Sequence, residues 1–262
     1  MTWASKTLGT PANEVIAAVR TGMTIQTIAT PRTQLVVRRK NQWPGFTNDG
    51  ELADFDHVPV VEDGEIVGIY DRGKSKFRDL SESMIMAADA SLLGYLEIAD
   101  SRQFAFLVRE NQIVGIVTLS DIQKLPVYCV LFSLLISVEM LLMECIRAAC
   151  HDDPDKWMAH LQKGAKDKIE GYWKEAREKN IALLDKLSCA SFWQELTAAQ
   201  GLNLISADEF ATLERLKELR DLVAHGKEIA FTLDHALEIP SRVRDALRIQ
   251  AELQEKLKRL AA

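Results

Sequence analysis

One pattern is written twice in the first half of the chain, and it narrows the fold more than any other feature. Val60-Val61-Glu62-Asp63-Gly64-Glu65-Ile66-Val67-Gly68-Ile69 aligns at one constant offset with Leu107-Val108-Arg109-Glu110-Asn111-Gln112-Ile113-Val114-Gly115-Ile116. Each copy reads strand, tight turn, strand. Asp63-Gly64 supplies the φ > 0 residues that two-residue hairpin turns prefer, and Glu110-Asn111-Gln112 is a weaker form of the same signal. Gly68 and Gly115 close the second strand of each copy, where a backbone approaches a neighbour closely or turns sharply.

A helix is expected before the second hairpin, over residues 91–98, with Asp89 or Ser91 as its N-cap. Another is expected to start after it at Ser120-Asp121. The unit is then strand–helix–strand–strand–helix, used twice. Over roughly residues 24–126 the chain resembles the CBS domain family, named after cystathionine β-synthase. The most specific stretch is Ile113-Val114-Gly115-Ile116-Val117-Thr118-Leu119-Ser120-Asp121-Ile122. The resemblance implies a tandem pair packed about a pseudo-twofold axis and acting as a ligand-sensing module. It also implies a regulatory adenosine nucleotide, AMP- or ATP-like, with Thr118 on phosphate, Asp121 on the ribose hydroxyls and Ser120 between them. A hydroxyl at a helix start suits an anion, and a carboxylate suits a diol. The plainer reading of Ser120 or Asp121 is a helix N-cap with no ligand.

The first copy departs from this pattern. Asp71 stands where Thr118 stands, and Lys74 where Asp121 stands. An Asp repels phosphate, and a Lys cannot accept from ribose. Trp43-Pro44-Gly45-Phe46 also interrupts the helix expected there. At most one intact nucleotide site is expected.

With 262 residues the chain has room for two ordinary domains, and 47% hydrophobic against 27% charged residues describes a globular protein. The formal net charge of -6 argues against coating nucleic acid through bulk positive charge, though it leaves room for a local basic cleft. Cys129, Cys145, Cys150 and Cys189 have no zinc spacing and read as reduced residues of a cytoplasmic protein. The histidines are scattered, so no metal is expected. The N-terminus lacks the apolar core of a signal peptide. The apolar run 127–143 contains Ser133, Ser137 and Glu139 and falls short of the ~20 residues of a membrane span. A buried or dimer-interface helix is expected there, and no membrane partner.

From Pro126 onward the periodicity is helical, with helices expected over 127–150, 155–178, 191–200, 207–224 and 241–260. The fold class is thus α+β followed by all-α: residues 1–126 as the tandem sensing module, residues 127–262 as a helical bundle. Ser206-Ala207-Asp208-Glu209 reads as a capping box, and Pro240 as a helix start. In the helix 207–224, Leu213, Leu216, Leu219, Leu222, Val223 and Ala224 fill one arc, opposite Glu214, Glu218, Asp221 and His225. Arg220 falls inside the apolar arc, where a guanidinium must be paired or line a cavity or interface. Glu139, alone in the apolar run, is its natural partner.

Arg220-Asp221-Leu222-Val223-Ala224-His225-Gly226 resembles the Arg-x4-to-6-His motif of HEPN domains, small helical bundles among which many are metal-independent ribonucleases. The resemblance implies a homodimer whose two motifs meet at one site and take RNA as substrate. Arg220 would bind the scissile phosphate, and His225 would act as general acid or base. Asp221, next to Arg220, could orient His225, and no cofactor is needed for the chemistry. Arg220 and His225 lie roughly 140° apart on an ideal helix, so they do not converge while it stays regular. The plainer reading is a helix ending in His-Gly, with Gly226 as C-cap and Arg220 in a structural salt bridge.

Two functions follow. One is a nucleotide-sensing module that regulates a dimeric ribonuclease; the other is a non-enzymatic regulator or scaffold whose helical half dimerises and binds a partner. Arg242, Arg244, Arg248, Lys256, Lys258 and Arg259 either guide RNA or form a solvated face.

Overall fold

Both hairpins form, and they repeat each other pair for pair. The computed structural model describes residues 12–40, 55–72, 75–181 and 185–261. Helix α1 (Ala12–Gly22) precedes the short strands β1 (Thr30–Pro31) and β2 (Arg38–Arg39). The first hairpin is β3 (His57–Glu62) with β4 (Glu65–Asp71), followed by β5 (Lys76–Asp79). Strand β6 (Ile85–Ala87) and helix α2 (Leu92–Ile98) lead into the second hairpin, β7 (Phe104–Arg109) with β8 (Gln112–Thr118). The helices α3 (Leu125–Cys150), α4 (Pro154–Met158), α5 (Lys163–Glu178), α6 (Phe192–Gly201), α7 (Ala207–Ala224) and α8 (Leu233–Ala261) complete the chain.

The first hairpin pairs from His57↔Asp71 to Glu62↔Glu65, and the second from Phe104↔Thr118 to Arg109↔Gln112. Even the register irregularity recurs, between Val60 and Val61 and between Leu107 and Val108. Asp63 and Gly64 have φ of 49° and 84°, and Glu110 and Asn111 have φ of 49° and 65°. The weaker sequence signal therefore folds to the same two-residue turn, in the conformation that matches the twist of the strands it joins.

Each hairpin is the centre of a four-stranded sheet, in the orders β2-β3-β4-β5 and β1-β8-β7-β6. In both, one outer strand (β2, β6) runs parallel to the hairpin and the other (β5, β1) antiparallel. So β1, from before the first hairpin, holds in the second sheet the place β5 holds in the first. Gly68 and Gly115 make those last pairings fit. A Cβ at Gly68 would lie 2.3 Å from the carbonyl oxygen of Arg78, and one at Gly115 would lie 2.6 Å from that of Thr30. Side chains of both copies, Ile66, Ile69 and Met84 with Phe104, Phe106 and Ile116, share one buried core.

The second copy keeps its helix: Ser91 caps α2, its hydroxyl accepting from the N–H of Gly94 at 3.3 Å. Two expectations are corrected here. After the first hairpin the chain continues as strand β5 and a 3-10 turn at Glu82–Met84, not as a helix. After the second, Thr118 rather than Ser120 or Asp121 is the N-cap of a 3-10 turn, Leu119–Gln123, that leads into α3. Trp43-Pro44-Gly45-Phe46, Gly73 and Lys74 lie outside the described residues.

The described residues fall into two compact units. One comprises those within 20–127 and 230–240; the other comprises those within 12–19, 128–229 and 241–261. In the second unit α3 supplies the apolar spine, with Val130, Leu134, Leu142 and Ile146 fully buried. By length and composition α3 could cross a membrane, but 56% of its most apolar window is buried inside the protein, as suits a core helix. The helix expected over 155–178 is broken in two. The chain tightens into i→i+3 bonds at His160 and Leu161, and Gln162 is extended before α5. Helix α8 starts earlier than expected, because the hydroxyl of Thr232 caps it by accepting from His235 N–H at 3.2 Å. Pro240 therefore sits inside α8, at the residue where the two units divide the helix.

Candidate functional site

The Ser206–Glu209 capping box sets where α7 begins, and so which residues of it face inward. Ser206 N–H donates to Glu209 Oε2 at 2.6 Å, and Glu209 N–H donates to Ser206 Oγ at 3.2 Å. Leu213, Leu216, Leu219 and Val223 are buried, whereas Ala224, expected in the same arc, is exposed. Arg220 shares the inward side and is paired as its position requires. Its Nη2 lies 3.2 Å from Oε1 of Glu139 on α3, and its Nη1 lies 3.1 Å from Oδ1 of Asp221. Its Cζ also stands 5.6 Å from the ring centroid of Phe192 on α6. The Nε of Arg220 is buried and has no hydrogen-bond partner among the described residues.

A further carboxyl, missed in the sequence, completes this cluster. Glu195 on α6 is only 2% exposed, and its Oε2 has no hydrogen-bond partner among the described residues. Burial, and then the charge of Glu139, push its pKa well above the ordinary carboxylate value against the pull of Arg220 and Arg147. Burial also raises Glu139, with Arg220 opposing the shift and Asp221 adding to it. Asp221 goes the other way: burial would raise it, but the Lys217 ammonium at 2.8 Å, Arg220 and His225 together hold it below its usual value. One site thus holds carboxyls of opposite tendency, the pattern that separates proton donors from acceptors. The sequence signal for Glu195 is weak, because Ser191-Phe192-Trp193-Gln194-Glu195 reads as the start of any capped helix.

His225 is the C-cap of α7 and is exposed. Gly226, at φ 60°, donates its N–H to Val223 O at 3.1 Å, and Lys227 donates to Leu222 O at 2.9 Å. This is a Schellman ending, so the glycine terminates the helix without turning His225 back towards Arg220. Asp221 is committed to Lys217 and Arg220, and the charge of His225 helps to hold its carboxyl below the usual range. Within one chain, then, Glu139, Arg220 and Asp221 come together with Glu195, and His225 is exposed one turn beyond Asp221.

The residues of the nucleotide candidate do converge, but on one another. Thr118 N–H donates to Asp121 Oδ2 at 2.6 Å, Thr118 Oγ1 donates to the same oxygen at 3.1 Å, and Thr118 Oγ1 lies 2.7 Å from Ser120 Oγ. Lys124 Nζ takes the other oxygen of Asp121 at 2.7 Å. The hydroxyl of Tyr95, buried without a hydrogen-bond partner, lies near enough to Asp121 for that charge, after burial itself, to raise its pKa. In the first copy Asp71 occupies the sheet position of Thr118, and its carboxylate lies 3.6 Å from Arg78.

The basic residues of α8 are largely spent within the chain. Arg248 pairs with Asp245 and Glu252, Lys258 with Glu255, and Lys256 with Glu209 and the carbonyl of Leu204. Arg242 Nη1 donates to the carbonyl of Arg215 at 3.2 Å. Cys129, Cys145, Cys150 and Cys189 are free thiols, and burial pushes Cys145 up to about 11. Among the described residues no group of three or more His, Cys, Asp or Glu side chains is placed to hold a metal ion. Comparison with protein-family models, with curated proteins and with solved structures gave no match.

Proposed function

We propose that the chain is a cytosolic regulator in which a CBS-type pair, residues 1–126, senses an adenosine nucleotide and controls a HEPN-type helical domain, residues 127–262. That domain cleaves RNA as a homodimer without a metal. The observation that carries this reading is the end of α7: Arg220 is fixed by Glu139 and Asp221, and His225 stands exposed on the last turn of the same helix. A fixed guanidinium suits a phosphodiester, and an exposed imidazole has ring nitrogens free to take or give a proton. His225 accepts the proton of a ribose 2′-hydroxyl, the 2′-oxygen attacks phosphorus, and the 5′-oxygen leaves with a proton from the second subunit's imidazole. Arg220 offsets the charge that builds on the phosphoryl oxygens. Two copies supply two His225 imidazoles, where one chain supplies a single one.

The sensing half is supported by the matched sheets and by their shared core. Helix α3 follows the Thr118–Asp121 turn in sequence, so a ligand that prefers one of two dimer arrangements shifts the population through it. A second reading, a non-enzymatic regulator, is favoured by two specific observations. The Schellman ending and the Arg220–Glu139 pair each give the motif residues a structural task within one chain.

RNA cleavage in EDTA by the wild type, Arg220→Ala and His225→Ala separates the two readings. Activity lost in both variants supports the nuclease. Equal activity in all three, or none in the wild type with or without AMP and ATP, removes it and leaves the regulator.

A further inference from the structure

Glu195 lies outside the motif that points to Arg220, and a carboxyl at 2% exposure needs a physical reason. It sits one turn after Phe192, so α6 presents both the stacking ring and the carboxyl towards Arg220. Two orphaned groups of opposite character occupy this cluster, Oε2 of Glu195 and Nε of Arg220, both buried and without hydrogen-bond partners among the described residues. The charges acting on Glu195 are Glu139 and Arg147 from α3 and Arg220 from α7, with Asp221 acting on Glu139. His160, which follows α4, meets α6 at Gly201, towards the other end of the helix.

Two buried carboxyls beside one guanidinium do not both ionise cheaply. Glu139 holds the ion pair and is partly exposed, at 17% of its side chain. Glu195 is the more deeply buried of the two, and burial pushes its carboxyl well above the ordinary carboxylate range. The terminal nitrogens of Arg220 are then committed to Glu139 and Asp221, and its Nε side faces the protein interior.

We propose that Glu195 is a positioning residue for Arg220. Uncharged, it leaves the guanidinium with Glu139 and Asp221; ionised, it competes for the Nε side and turns the guanidinium inward, away from a phosphate. A proton on α6 thereby sets whether the cation at the end of α7 is available. This rests on the reading that Arg220 meets RNA phosphate. Burial and the neighbouring charge of Glu139 both favour the protonated form.

The test uses the full-length protein with nitrogen-15 arginine, the Arg220 Nε–H signal being assigned by its loss in Arg220→Lys. On raising the pH, the wild-type signal should show a titration step that Glu195→Gln lacks and that Glu139→Gln moves to lower pH. Affinity for a short single-stranded RNA, measured in a His225→Ala background to prevent turnover, should fall several-fold across the same step. Adding Glu195→Gln should make that affinity independent of pH. An unchanged step in Glu195→Gln, no step in the wild type, or a step that Glu139→Gln does not move overturns the positioning role. A step as expected, together with RNA binding that is indifferent to Arg220→Ala, supports the positioning role and removes the RNA reading instead.

Discussion

Arg220 on α7 and Glu139 on α3 stand 81 residues apart in sequence and meet at 3.2 Å, on side chains that keep only 22% and 17% of their exposure. The pair joins two helices whose inward residues are mostly apolar, with Ser137 on α3 and Thr212 on α7 the buried polar exceptions among the described residues. Its worth differs from that of a surface pair, because water reaches little of either group. Removing Arg220 leaves Glu139 mostly buried beside the like charge of Asp221.

The coupling energy of this pair should therefore be measurable. In a double-mutant cycle with Glu139→Gln and Arg220→Met, each followed by urea unfolding, the interaction term should be about 1–3 kcal/mol. Arg220→Met alone should cost more than the double variant, since it leaves Glu139 facing Glu195 and Asp221. A coupling within experimental error of zero would show that Asp221 alone holds the guanidinium.

Glu195 makes stability depend on pH in the direction opposite to a salt-bridged acid. Its folded pKa is raised, so above the unfolded value of about 4.3 the folded state binds a proton that the unfolded chain has lost. Stability then falls as pH rises, by about 1.4 kcal/mol per pH unit from this group, until the folded carboxyl itself ionises. Glu195→Gln should match the wild type below pH ~4 and exceed it increasingly above that. Parallel stability curves for the two proteins across pH would contradict the burial assigned to Glu195.

Gly68 and Gly115 should not tolerate alanine. The added Cβ would meet the backbone carbonyls of Arg78 and Thr30 at 2.3 and 2.6 Å, and these can retreat only by breaking the β4–β5 or β8–β1 pairing. Each substitution should cost about 1–3 kcal/mol in chemical unfolding. Gly22→Ala, where nothing lies within 4 Å of the new atom, serves as the neutral control.

For the nucleotide candidate, calorimetry with AMP, ATP and S-adenosyl compounds should detect binding that Asp121→Ala abolishes. Lys124→Ala should strengthen it, because ribose hydroxyls compete with the Lys124 ammonium for Asp121 Oδ1. Asp121→Ala should also cost about 1 kcal/mol of stability through the lost cap of the Leu119–Gln123 turn. No heat with any of these ligands, the wild-type fold being intact, would leave Thr118, Ser120 and Asp121 as a structural cap alone.

The repeat was legible because strand, turn and strand are local. Alternating apolar residues and a two-residue turn need no distant information, so both hairpins, the Ser91 cap and the whole of α7 follow from neighbouring residues. The need for a partner to Arg220 was legible too, since a guanidinium in an apolar arc has few options. The sequence alone thus determined the tandem hairpins, the helical second half and the pairing of Arg220 with an acid. Tertiary structure decided the rest. It placed β1 beside β8 and broke the helix expected over 155–178. It kept α8 helical through Pro240, left His225 on the surface, and buried Glu195 within reach of the charge of Arg220. Each of these outcomes depends on which surfaces meet, and no local pattern records the free energy of desolvating a carboxyl against a side chain far along the chain.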